Sequence, residues 1–152
     1  MKYEITNEKK RAATVELFRI RALKNFGKVK AGDLGGWIEG ELNLSQKGKA
    51  WVSGDAKVFG YARVSGDAEI LEYAEVSGDA QVSGKALVFG NAKVSGDAEI
   101  SQYAEVSGDA QVFGKALVFG NAKVSGDAEV SGDAVVFGNV LVFGNAQVYG
   151  KK

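Results

Sequence analysis

From Val52 to Val148 the chain divides into consecutive six-residue units without one insertion, and the first residue of every unit is Val or Ile. The third residue is Gly except at Glu72 and Gln102, and the fifth is Ala except at Val140. A strand has a side-chain period of two, so each Ala and the following Val share one face of a short strand, and the glycine allows a corner. The repeat therefore predicts one strand and one corner in every unit.

Two architectures fit such units. An antiparallel meander could use Gly-Asn and Gly-Asp as hairpin turns, but its large Val and Ala face would find no cover in residues 1–51. In a solenoid, three units close a triangular coil of 18 residues and the apolar face points inward. We therefore predict an all-β fold, a single-stranded parallel β-helix with triangular 18-residue coils.

The outward charges provide an independent test of the coil length, because residues one coil apart should be neighbours in adjacent strands. At a spacing of 18, seven pairs have opposite charges and two have like charges. Examples are Lys57/Glu75, Glu75/Lys93 and Asp97/Lys115. The counts are five against three at a spacing of 12 and four against four at 24. This pattern favours a tube with three sides.

A longer duplication bears on function. Residues 64–93 and 94–123 are identical at 27 of 30 positions. Thirty residues are five units, so the copy moves every unit to a different side of a three-sided coil. A ligand array confined to one side would have been scrambled. The duplication therefore indicates a scaffold with interchangeable sides.

A solenoid needs a cap at its ends, and the chain divides accordingly into an N-terminal cap, residues 1–45, and a solenoid, residues 46–152. The segment 14–23 is apolar and mostly alternating, and residues 2–6 could pair with it as a β-hairpin lid. Its β-branched and aromatic residues favour strands. A helix over residues 8–24 remains open, because several leucines and isoleucines there also suit one helical face.

At the other end the repeat runs to the end of the sequence without a cap, so we expect self-association, tail to tail, through the last coil. Aromatic residues become frequent there at the outward second position of the unit. The candidate interface consists of Phe113, Phe119, Phe137, Phe143, Tyr149, Lys151 and Lys152. Two alternatives remain open: each ring shields the neighbouring glycine corner, and the two lysines protect the edge from pairing.

Composition excludes several kinds of site. The chain has no histidine and no cysteine, so we expect no thiolate chemistry, no metal and no cofactor. The glycine-rich segment 31–36 lacks the spacing of a phosphate loop. Net charge is zero, near +5 over residues 1–51 and near −5 over residues 52–152, without the basic stripe that nucleic acid requires.

The chain also lacks the marks of export and membrane insertion. The amino terminus is charged and has no apolar secretory stretch, and no apolar run is long enough to cross a bilayer. We expect a cytoplasmic protein that does not interact with membranes.

Residues 20–52 (IRALKNFGKVKAGDLGGWIEGELNLSQKGKAWV) and the V-[SF]-G-[DN]-A units that follow resemble the left-handed parallel β-helix superfamily. More closely, the chain resembles the YdcK-like β-helical proteins and their short bacterial and phage relatives. This resemblance implies left-handed winding and, from where the relatives occur, a phage-borne protein that acts on a host protein. A weaker resemblance to the bactofilins, which are right-handed and polymerise, implies a cytoskeletal polymer as an alternative.

Many superfamily members are acyltransferases that use a histidine base and a loop extruded from a coil. This chain has no histidine, and its units run unbroken from residue 52 to 150. We therefore expect a non-enzymatic scaffold or protein-binding module. A transferase relative without histidine, using Tyr61, Tyr73 or Tyr103 with a neighbouring Asp, is the alternative.

Overall fold

In a computed structural model, which describes residues 1–150, the chain is all-β apart from a 3₁₀ turn at Glu41–Asn43. The first strands are β1 (Tyr3–Ala12), β2 (Val15–Ala22) and β3 (Leu34–Ile38). No helix in the described part of the chain has the length and apolar character needed to cross a membrane.

The later strands are short, and almost all contain the residue before the unit's Val or Ile and that Val or Ile itself. They are β4 (Trp51–Val52), β5 (Lys57–Val58), β6 (Arg63–Val64), β7 (Glu69–Ile70), β8 (Glu75–Val76), β9 (Gln81–Val82), β10 (Leu87–Val88), β11 (Lys93–Val94), β12 (Glu99–Ile100), β13 (Glu105–Val106), β14 (Gln111–Val112), β15 (Leu117–Val118), β16 (Lys123–Val124), β17 (Glu129–Gly132), β18 (Val135–Val136), β19 (Leu141–Val142) and β20 (Gln147–Gly150).

These strands stack into three sheets, one on each side of a tube. Face 1 contains β3, β5, β8, β11, β14, β17 and β20, with β2 and then β1 beyond β3. Face 2 contains β4, β7, β10, β13, β16 and β19, and face 3 contains β6, β9, β12, β15 and β18. Neighbouring solenoid strands are parallel and separated by two other strands in the chain, which confirms a β-solenoid with three strands per coil.

The register confirms the 18-residue coil. Lys57 lies beside Glu75, and Glu75 lies beside Lys93. The first coil is longer, because Ile38 pairs with Val58, 20 residues on. The parallel pairing thus begins with β3, and the boundary at residue 45 between cap and solenoid stays a prediction.

The predicted columns form the core. The Val or Ile column is at most 4% exposed from Val52 to Val136, and the Ala column is equally buried from Ala50 to Ala134. The side chains fill a tube too narrow for a second layer, which explains why the Ala column admits only a small residue. Burial decreases only in the last coil.

The corner glycines of Gly54–Gly144 have a positive φ, and in almost every unit the next Ala donates its N–H to the carbonyl three residues earlier, as Ala80 does to Ser77 at 3.3 Å. The corners also stack closely: a Cβ at Gly78 would lie 2.9 Å from the backbone nitrogen of Gly96 in the next coil. Glycine is therefore required both by its φ of +65° and by its neighbour.

The N-terminal cap is a hairpin of strands, which confirms the strand prediction over the helical alternative. β1 pairs antiparallel with β2, and β2 pairs antiparallel with β3. The ring of Tyr3 is fully buried, and its hydroxyl donates to the carbonyl of Leu44 at 2.6 Å. The side chain of Gln46 bonds the backbone of Lys2 and Tyr3, which holds the hairpin on the first coil.

Candidate functional site

Two surfaces of the molecule differ from the polar, regular walls of the tube. One is the last coil, residues 134–150, here named the terminal coil. The other, here named the N-terminal groove, lies between residues 24–34 and face 2. Each is built from different elements and can do different chemistry.

The terminal coil has free strand edges. In the described part of the chain β18 pairs only with β15, β19 only with β16, and β20 only with β17. Each strand therefore presents its second edge without a partner strand. Unpaired edges of this kind are templates for pairing with another chain.

The terminal coil is also apolar on its outside. Its large hydrophobic side chains are between 47% and 70% exposed: Val135, Phe137, Val140, Leu141, Phe143 and Tyr149. Leu117 and Phe119 occupy the same positions as Val135 and Phe137, one coil earlier. They are less exposed, because the terminal coil covers them. The terminal side chains are thus exposed because, within residues 1–150, no further coil packs against them.

The structure distributes the predicted interface residues over all three faces. Phe119 and Phe137 stack on face 3, with ring centroids 5.5 Å apart and planes 11° apart. Phe143 follows β19 on face 2, whereas Phe113 and Tyr149 lie on face 1, two coils apart. They surround the end of the tube instead of forming one patch.

Part of the alternative explanation also holds. The ring of Tyr149 lies over the Gly132 corner, since a Cβ at Gly132 would be 2.9 Å from Cε1 of Tyr149. This ring therefore shields backbone, as the alternative predicts. Lys151 and Lys152 lie outside the described residues. The role of the set as an interface stays a prediction.

Sequence reasoning missed three members of the terminal coil, Val135, Val140 and Leu141. Val140 carried a signal, because it is the one residue that replaces Ala in the fifth position of the unit. Val135 and Leu141 occupy an outward position that is mostly polar in earlier units. Their exposure becomes visible only when the 18-residue register is known.

The N-terminal groove was not expected, because no loop interrupts the units. Its wall comes from the segment before them, and its volume is about 580 Å³. It is lined by Phe26, Gly27, Lys28, Val29, Asp33, Leu34, Lys49, Trp51, Ser53, Asp67, Glu69, Leu71 and Lys85. Three lysines and three carboxylates thus surround an apolar floor.

Hydrogen bonds hold the wall of the groove in place. Phe26 and Val29 exchange both backbone hydrogen bonds, at 2.9 and 2.8 Å, around a tight turn. The amide oxygen of Asn25 accepts from the N–H of Ala31 at 2.8 Å. The ring of Phe26 packs edge-on against Trp51, with centroids 5.3 Å apart. The groove is therefore formed before any ligand arrives.

Lys2 lies directly beneath this wall. It is 1% exposed, and its Nζ donates to the carbonyl of Ala50 at 2.7 Å and lies 5.1 Å from the centre of the Phe26 ring. Burial lowers the pKa of Lys2 to about 8, and the charge of Lys24 adds to the effect. This amine supports the fold and is closed to solvent.

The candidate catalytic tyrosines do not come together. Tyr61, Tyr73 and Tyr103 are all more than half exposed and lie on three different corners of the tube, after β5, β7 and β12. Within residues 1–150, no group of three or more carboxylates, histidines or cysteines is placed to hold a metal ion.

Models of known protein families give no match to the chain. A search of curated proteins gives no match either.

Proposed function

We propose that the chain is a non-enzymatic β-solenoid scaffold that binds protein, and that it self-associates through the terminal coil. The terminal coil is the observation that supports this proposal, because its apolar side chains reach 70% exposure beside three unpaired strand edges. Exposed apolar side chains beside unpaired strand edges are typical of surfaces that bind another chain. The polar walls of the remaining tube are a spacer between the cap and that end.

The experiment compares the molar mass of the chain in solution with that of a Leu141→Lys variant by light scattering. Lysine is tolerated in this column, since Lys123 occupies the same position one coil earlier. We expect a mass above 16.0 kDa for the chain and a mass of 16.0 kDa for the variant. A chain that stays at 16.0 kDa at high concentration contradicts self-association.

Partner binding is tested separately by affinity purification from the native host. A host protein that binds the tube wall should be retained by both the chain and Leu141→Lys. A host protein that binds the terminal coil should be retained by the chain alone. Retention of no specific protein in either case contradicts a protein-binding role.

The finer assignment is also part of this proposal. It states that the chain is a left-handed, YdcK-like hexapeptide-repeat protein of the cytoplasm, carried by a phage and directed at a host protein. Residues 20–52 and the regular units support the resemblance on which it rests. The 18-residue coil agrees with such a helix. An experimental structure that shows right-handed winding contradicts it and favours the bactofilin-like alternative, for which electron microscopy would show filaments.

The N-terminal groove favours a second candidate function, that of a relative of the hexapeptide acyltransferases that binds a small ligand. Its preformed wall and its lining of lysines and carboxylates are the observations that support it. A thermal shift with acyl-CoA or a nucleotide-sugar tests the idea, with Leu71→Ser as the control. Serine occurs at the equivalent Ser101 of the duplicate, so the variant should fold. A shift seen in the chain and reduced in the variant supports binding in the groove, and no shift contradicts it.

A further inference from the structure

The terminal coil is uncharged. Residues 134–150 form the longest stretch of the chain without Asp, Glu, Lys or Arg. Every earlier coil from Trp51 onward carries a charge on at least one strand, as Lys123 and Glu129 do in the coil just before. Charges on an edge strand normally protect it from pairing with another chain. The terminal coil lacks that protection on all three of its strands.

The free edges present hydrogen-bonding groups in a defined direction. Lys123 and Ser125, on either side of a buried Val, donate their N–H groups to carbonyls of the next coil at 3.0 and 2.8 Å. The N–H and C=O of one strand residue point to the same side. Leu141 and Phe143 occupy the same positions one coil later, so their backbone groups point away from the tube.

We infer that two copies of the chain join tail to tail about a two-fold axis that is perpendicular to the tube and passes through β19. This inference rests on the self-association proposed above. The three strands of a coil follow one another in one sense around the tube. Because each strand also rises by one third of the coil spacing, the rotation places β19 antiparallel to β19 of the second copy, and β18 antiparallel to β20 of the second copy. Every free edge of the coil gains a partner, which closes the assembly at two copies.

The inward valines set the register. Val142 lies on the axis, opposite Val142 of the second copy, and Val136 lies opposite Val148 of the second copy. All three point toward the interior of the tube, and Val136 and Val142 are 4% and 7% exposed even in the single copy. The core thus continues from one tube into the other. A slip of one residue would turn the valines outward, so the pattern specifies this pairing.

The outward residues then match in both chemistry and hydrogen bonding. Val135 lies opposite Tyr149 of the second copy, and Leu141 lies opposite Phe143 of the second copy. Their free backbone groups face each other, as a hydrogen-bonded antiparallel pair requires. Leu141 and Phe143 lie on either side of the axis on face 2, so an apolar patch spans the junction there. No like charges meet across it, because all six outward residues of the three strands are uncharged.

Cysteine cross-linking tests the register, because the chain has no cysteine of its own. Facing residues of a non-hydrogen-bonded antiparallel pair are about 4.5 Å apart between Cα atoms, which suits a disulfide. Val142→Cys is expected to give a covalent dimer on oxidation, because the position faces itself. Val136→Cys and Val148→Cys are expected to give no covalent dimer separately and to give one when the two proteins are mixed.

Light scattering separates this inference from the proposal on which it rests. We expect twice 16.0 kDa for the chain and for Leu87→Lys, a change in the middle of face 2, and 16.0 kDa for Leu141→Lys. A monomeric chain, or a dimer that survives Leu141→Lys, overturns self-association through the terminal coil. A dimer that Leu141→Lys abolishes but Val142→Cys does not link overturns the two-fold register alone. Filaments, which indicate head-to-tail contacts, overturn that register as well.

Discussion

The carboxylate Oε1 of Glu72 accepts a hydrogen bond of 2.8 Å from the backbone N–H of Gly90, which lies one coil further along the tube. Glu72 stands where the repeat otherwise has glycine, and it keeps the left-handed φ of +63°. Gln102, with a φ of +59°, makes the same bond to Gly120 at 2.9 Å. A side chain in this region costs about 1–2 kcal/mol, which the hydrogen bond between coils partly offsets.

Substitution of Glu72 separates the two effects. Glu72→Ala keeps the strain and loses the hydrogen bond, so we expect the free energy of unfolding in urea to fall by about 1 kcal/mol. Glu72→Gly loses the bond but also relieves the strain, and we expect a value close to that of the unchanged chain. Equal losses for the two variants would show that the strain at this position costs little, and no loss in Glu72→Ala would show that the bond between coils contributes little.

Asn43 is expected to be the most sensitive polar residue of the first coil. It is 1% exposed; its Oδ1 accepts from the N–H groups of Glu39 and Gly40, both at 3.0 Å, and its Nδ2 donates to two carbonyls at 3.2 and 2.9 Å. Asn43→Asp places a carboxylate against those carbonyls, so we expect a loss of about 3 kcal/mol or more in chemical unfolding. Asn121→Asp, on an exposed corner between Tyr103 and Asn139, is the control and should change stability by less than about 0.5 kcal/mol. Similar values for both variants would contradict the role of Asn43.

The glycine corners allow a comparison at constant backbone geometry. Gly78 and Gly144 both have a φ of +65°, but a Cβ would lie 2.9 Å from the next coil at Gly78 and within 4 Å of nothing at Gly144. Both alanine variants bear the strain of a left-handed residue, about 1–2 kcal/mol. Only Gly78→Ala also separates two coils, so thermal unfolding should show a clearly larger decrease in Tm for it. Equal decreases would mean that the coils stack more loosely than described.

The tube itself was predictable because its pattern allows one solution. Units of six that repeat a buried Val and a buried Ala hide both columns only when three of them close a coil, and Lys57 therefore lies beside Glu75 as expected. The predicted charge pairs are in register, yet the direct ion pairs of residues 1–150 all belong to the hairpin: Lys9–Glu16, Arg19–Glu8 and Arg21–Glu4. On the tube the long side chains extend into water, where an ion pair gains little.

The surfaces were harder to predict, for two physical reasons. The N-terminal groove depends on contacts between distant residues, such as Phe26 on Trp51, and no periodic pattern encodes them. The aromatic residues of the candidate interface appeared as one group along the chain. Phe113 and Phe143 are 30 residues apart, which is not a whole number of coils, so they belong to different faces.

The buried amine of Lys2 makes stability depend on pH in an unusual range. Burial lowers its pKa from 10.5 to about 8, with Lys24 acting in the same direction and Asp67 in the opposite one. Between these two values the unfolded chain binds more protons than the folded chain, so the free energy of unfolding rises with pH. The rise is at most about 1.4 kcal/mol per pH unit. Burial raises the pKa of Tyr3, which contributes stability that is lost as pH rises beyond about 10.

We therefore expect urea unfolding to show increasing stability from about pH 7.5 to about pH 9.5, where Lys2 titrates in the folded chain and Tyr3 does not yet ionise in the unfolded chain. Lys2→Met is the matched control, because it keeps the length of the side chain in the cap and removes its proton. Lys10, whose pKa burial also lowers, remains in both proteins, so the difference between their slopes belongs to Lys2. The slope of the variant should be clearly smaller. Parallel slopes would mean that the Lys2 amine is hydrated and keeps an ordinary pKa.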